Sequence, residues 1–209
     1  MEAARAVPRF QDEPPSGTKD EPPSGTRDAA AKRRTEQPQS MQQQTHPGQD
    51  GPTFGFLTAV DSAAHGTFGG YLVVDVLGRP LEFHCTTPVK VSRAQQILYG
   101  PTLHTHLHGM QIGATLLAEG SIMPAVVLTD LETMLQVRPH TNLPVALVKR
   151  GGEVSGAGFA LGDNRVQPHA VDAEHEPRIQ ERLRELAAAV DLSEPFERIR
   201  AAIDEAQRH

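Results

Sequence analysis

The chain has 209 residues, a net charge of −6 and 38% apolar residues, with 4% aromatic and no tryptophan. That length suits one domain with extensions, and the thin apolar content excludes a core running the whole length. The single cysteine, Cys85, excludes an intrachain disulfide framework and fits a cytoplasmic location. No stretch of about 18 apolar residues occurs, so no membrane partner is expected. The opening MEAARAVPRFQDEPP lacks the apolar segment of a secretory signal.

Charge is unevenly spread. Residues 53–150 hold six basic and six acidic side chains, whereas residues 151–209 hold seven basic and twelve acidic. A nucleic-acid partner is conceivable for such a chain but unsupported by its charge, because phosphate backbones select a basic excess or stripe.

Residues 1–52 read as a disordered low-complexity tail. They contain a tandem octapeptide, DEPPSGTK then DEPPSGTR, and a short glutamine tract. Proline, glycine, serine and charge cannot bury enough apolar area to offset the entropy of ordering. Such a segment is expected to be a solvated tail, with a tether or a short docking motif as the functional alternative.

The core domain is expected over 53–150, beginning with a strand over 54–60. A turn-rich link, DSAAHGTF, follows, and Gly69-Gly70 opens a second strand over 71–76. The Leu77-Gly78-Arg79-Pro80 turn leads to a third strand over 81–87. There Leu81, Phe83 and Cys85 alternate with Glu82, His84 and Thr86, placing Cys85 on the apolar face. Ser92 can cap a short helix over 93–99. The next helix, 103–118, shows an apolar stripe at Leu103, Leu107, Met110, Ala114 and Leu117. An apolar run over 125–129 predicts a central strand, 131–137 a short helix, and 144–148 another strand. Residues 151–171 form a Gly-rich linker or edge segment with a short strand near 158–161. Residues 172–209 form a C-terminal helical extension, with Ile179, Leu183, Leu186 and Val190 on one face and Phe196, Ile199 and Ile203 on the next. This extension packs on the domain or offers a site for a protein partner or self-association. The fold class is α/β (α+β), with a mixed sheet of about five strands in the order β-β-β-α-α-β-α-β.

Two aspartates close apolar runs in this frame: Asp61 ends FGFLTAVD and Asp130 ends MPAVVLTD. With AVDSAAHGTFGGYLVVDVLGRPLEF and AVVLTDLETML, the 53–150 stretch resembles the ribonuclease H-like superfamily. That family has an Asp-ended strand, a hairpin, a helix carrying Glu, and a second Asp-ended strand. The resemblance implies Asp61 and Asp130 as catalytic ligands of two divalent metals, Mg or Mn, which activate water for phosphodiester cleavage. Gln111 stands where the family has its helix Glu, and an amide binds Mg²⁺ less well than a carboxylate. Asp163 and Asp172 are the further acids available.

The run His104-Thr105-His106-Leu107-His108 is the second lead. On a helix His104 and His108 share a side, with Gln111 beside them and His106 pointing elsewhere. A single metal held by His104 and His108 with His84 and Asp61 or Asp130 would require long-range convergence. Three functions are therefore expected. The first is a ribonuclease H-like domain whose metal-dependent nuclease chemistry is weakened or lost and which acts as a binding or scaffold module. The second is an active divalent-metal phosphodiesterase using Asp61 and Asp130. The third is a profilin-like interaction domain working through its helices.

Overall fold

Strand alternation sets the first half of the fold. The structure, a computed structural model, describes residues 51–151 and 158–208. The DEPPSGT repeat and all but the last two residues of the expected tail lie outside them. Strand β1 (Phe54–Ser62) pairs antiparallel with β2 (Gly66–Val74), which pairs with β3 (Pro80–Cys85). Helix α1 (Arg93–Tyr99) starts at Ser92, whose hydroxyl and Gln95 form a reciprocal capping box. After a 3₁₀ turn, α2 (Leu103–His106), a π-helical segment (Leu107–Gly113) and α3 (Ala114–Glu119) run on as one rod.

Strand β4 (Val126–Thr129) then returns parallel to β1. A 3₁₀ segment (Glu132–His140) leads to β5 (Val145–Arg150), parallel to β4. Strands β6 (Phe159–Leu161) and β7 (Asn164–Pro168) extend the same sheet, and helices α4 (Glu176–Ala189) and α5 (Glu194–Ala206) follow. The result is an α/β fold with a mixed seven-stranded sheet in the order β3-β2-β1-β4-β5-β7-β6. The expected frame of five strands is present, and β6 and β7 widen it. No helix among the described residues is long and apolar enough to cross a membrane.

The sheet is buried on both faces, because β1, β4 and β5 carry apolar side chains on both. One face packs Phe54, Phe56, Val126 and Leu128 against Ile179, Leu183, Phe196, Ile199 and Ile203 of α4 and α5. The other packs Leu57, Tyr71, Val73 and Val127 against Leu107, Ile112, Leu116, Met134 and Val137. The apolar faces of α4 and α5 are thus occupied by the chain's own sheet.

Two expectations about the hairpins change. The link expected over 61–68 is mostly strand: β1 runs to Ser62, the turn is 63–65, and Asp61 pairs with Thr67. Gly69 and Gly70 lie inside β2 rather than at its start. Cys85 is exposed, not buried, and Phe83 is 40% exposed. The period of two was real, but β3 is an edge strand that the helices leave largely uncovered, and periodicity does not reveal which strand lies at the edge.

The long helix also differs. An apolar stripe over 103–117 was expected with Met110 inside, but Met110 is 51% exposed and Leu107, Ile112 and Leu116 are buried. The step from Leu107 to Ile112 is five residues, the span of a π-helical hydrogen bond, so the extra residue rotates the second half of the rod. Gly109 and Gly113 allow the 3₁₀ segment to approach. A Cβ on Gly109 would lie 2.8 Å from the backbone carbon of Gln136.

One carboxylate ties edge strand β3 to the turn after α3. Glu82 accepts hydrogen bonds from Ser121 N (2.8 Å), Ser121 Oγ (2.8 Å), Ile122 N (2.9 Å) and His84 Nε2 (2.7 Å). Burial alone would raise its pKa, but the bonds from His84, Ser121 and Ile122 outweigh burial and lower it to about 2. A depressed folded-state pKa contributes stability that is present above the unfolded value of 4.5 and is lost as pH falls toward 2. The stability gap between wild type and Glu82→Gln should therefore shrink as pH drops through that window, as read by chemical denaturation. A gap independent of pH would show that the carboxylate charge contributes nothing.

Candidate functional site

Strand parity decides which acids can meet. The β1–β4 register sets Phe56 beside Leu128 and Leu57 beside Thr129, so the next step sets Thr58 beside Asp130. Thr58 Oγ1 donates to Asp130 Oδ1 at 2.6 Å. Thr58 and Asp130 therefore share the face of Phe56 and Leu128, which α5 covers, and Arg200 of α5 forms an ion pair with Asp130. Asp61 has the parity of Leu57 and lies on the opposite face. Its β1–β2 register is unbroken, and Thr67 Oγ1 donates to Asp61 Oδ1 at 2.5 Å. The expected pairing of Asp61 with Asp130 is thus corrected. Two carboxylates on opposite faces of a sheet cannot clamp two ions about 3.5–4 Å apart.

Asp61 instead meets two of the expected histidines. One ligand atom each from Asp61, His104 and His108 lies within 4.8 Å of the other two. His104 lies in α2, and His108 lies in the π segment one turn later, with ring centroids 5.7 Å apart. Asp61 and His104 are exposed, whereas His108 is only 6% exposed. His108 Nδ1 is 2.7 Å from Thr133 Oγ1, and its buried Nε2 has no hydrogen-bond partner among the described residues. Burial pushes the His108 pKa below its ordinary value. Asp61 opposes that shift and His104 adds to it. Burial thus favours the neutral ring, the form in which a histidine ligates metal.

The remaining candidates lie elsewhere. Gln111 Nε2 is 3.5 Å from His106 Nε2, and His106 stacks on Tyr99 with centroids 4.5 Å apart. His84 is occupied by Glu82. Asp172 is buried against Arg138. Sequence reading missed Thr67 and Thr133, which orient the acid and the buried histidine. Thr67 became legible only once the hairpin register placed it opposite Asp61. Thr133 had no signal beyond its place in the segment after Asp130.

No protein-family model matches this chain, and no curated protein matches it. Among solved structures it is similar to Argonaute of Marinitoga piezophila, crystallised with a 5′ OH guide RNA. The identity is 10% and the TM-score 0.28, over 56% of this chain and 22% of that one.

Proposed function

We propose that this chain is a ribonuclease H-like domain that has lost the family's two-metal nuclease site and works as a binding or scaffold module. The order of elements supports the fold: an Asp-bearing strand, a hairpin, a helix, then a strand beside the first that ends in Asp130. The observation that carries the loss of chemistry is the position of Asp130, across the sheet from Asp61 and neutralised by Arg200. Gln111, in place of the family's Glu, supplies no charge, and its amide faces His106. Without paired acids, the described residues lack the carboxylate clamp for the two ions that activate water and stabilise the leaving oxygen. Exposed Ile97 and Leu98 sit on α1, a helix that buries none of its residues, which suits a module acting by contact.

The test is direct. Purified protein incubated with RNA, DNA and RNA–DNA hybrid in Mg²⁺ or Mn²⁺ should release no product above a metal-free control. Metal-dependent cleavage that disappears in Asp61→Asn and in Asp130→Asn would restore the two-metal phosphodiesterase.

A further inference from the structure

We infer that Asp61, His104 and His108 form a mononuclear site for a borderline divalent transition metal, Zn²⁺ in chemical class, with at least one coordination position left open. The inference concerns different chemistry from the two-metal carboxylate site and does not rest on the scaffold reading.

The first observation is convergence. Three ligand atoms from two distant stretches of chain, strand β1 and the α2–π junction, come within 4.8 Å of one another. In a tetrahedral zinc site with bonds of about 2.0–2.1 Å, ligand atoms lie roughly 3.3 Å apart. Small rotamer changes at exposed Asp61 and His104 can close that difference around a fixed His108.

The second observation is independent of the first. The Nε2 of His108 is buried, and among the described residues no group satisfies it. Buried polar atoms without partners are rare, because desolvating them is unfavourable unless something replaces water. Thr133 at Nδ1 fixes the ring. When Nδ1–H donates to Thr133 Oγ1, Nε2 presents its lone pair, so the nitrogen free to ligate is the one without a partner. A metal-binding imidazole almost always donates its far N–H to an outer-shell acceptor, and Thr133 Oγ1 stands in that position here.

The third observation is charge. Asp130 has Arg200, and Asp172 has Arg138, but among the described residues Asp61 has no ion-pair partner. It lies instead beside two imidazoles. One carboxylate with two imidazoles suits Zn²⁺, Co²⁺ or Ni²⁺, whereas Mg²⁺ prefers oxygen ligands in an octahedron. Three protein ligands leave a position for water or an anionic ligand. The π segment fits this role, since such irregular turns are enriched where a helix must aim side chains at a site.

The experiment uses the full chain without a purification tag, stripped with chelator and titrated with Zn²⁺ against a chromophoric competitor. One equivalent of Zn²⁺ per chain is expected, with Co²⁺ giving the visible absorption of a four- or five-coordinate centre. His104→Ala and Asp61→Asn, both at exposed positions that should preserve folding, should each weaken Zn²⁺ binding by more than about tenfold. Thr133→Val should weaken it by about tenfold, the lower end for a lost outer-shell partner. His106→Ala and Asp130→Asn should bind like wild type. Absence of a stoichiometric site, affinity unchanged in the His104→Ala, Asp61→Asn double variant, or displacement of Zn²⁺ by millimolar Mg²⁺ would each overturn the inference. Nuclease assays are not involved, so failure here is distinct from failure of the proposed function.

Discussion

Replacing Asp172 with alanine should lower the unfolding free energy by about 3–5 kcal/mol, the cost of stranding one member of a buried ion pair. Asp172 is 2% exposed. It receives Arg138 through two bonds, Nε at 2.7 Å and an Nη at 2.9 Å, and also accepts Val145 N at 3.1 Å. The same guanidinium donates to Thr141 O at 2.7 Å. One carboxylate thus joins the 3₁₀ segment after β4, the start of β5 and the turn before α4. Its loss strips the guanidinium of its counter-charge, leaving it only Thr141 O, and leaves the Val145 amide without this acceptor. Urea denaturation measures the effect, and Arg138→Met combined with Asp172→Leu should cost less than Asp172→Ala alone. A loss under about 1 kcal/mol would instead place the pair among exposed ion pairs.

The second large effect is expected at Gly70. A Cβ there would lie 2.2 Å from Ile199 Cγ2 and 3.1 Å from Ile203 Cδ1, both from buried residues of α5. At its neighbour Gly69, on the other face, a Cβ would lie 2.1 Å from Ile112 Cγ2 and 2.9 Å from Leu116 Cδ1. The glycine pair therefore lets helices approach both faces of β2 at one point. Gly70→Val should cost about 3 kcal/mol, the upper end of the range typical of overpacking, since α5 must move away from the sheet. Gly70→Ala with Ile199→Ala should cost less than the sum of the single changes, because the deleted methyl groups make room for the added one. Additive losses in thermal or urea unfolding would argue that α5 does not press on this position.

The candidate site shows where sequence reading succeeds and where it stops. The i, i+4 spacing of His104 and His108 on a helix was legible, because helical periodicity is local. Asp61 was legible as an acid near the end of a strand. Its partner was not, since Asp61 and Asp130 look alike in sequence and differ only in parity. That parity depends on the cross-strand register, and a shift of one residue reverses the face. The mispredicted stripe on the long helix has a similar cause. One extra residue in the π segment exchanges Met110 for Ile112 at the core, and nothing in the local composition marks the insertion.

Local physical chemistry therefore determined the order of elements through β5, the α/β class, the helical nature of the C-terminal segments and the short strand near 158–161. These follow from periods of two and near 3.6 and from capping and turn residues, all of which act over a few neighbours. Tertiary structure decided the rest. It set β7 beside β5, placed β3 at an exposed edge, turned Asp130 toward Arg200, and brought Asp61 to the two histidines. Each of these is a contact between residues far apart in the chain, fixed by register and by which helices cover which face.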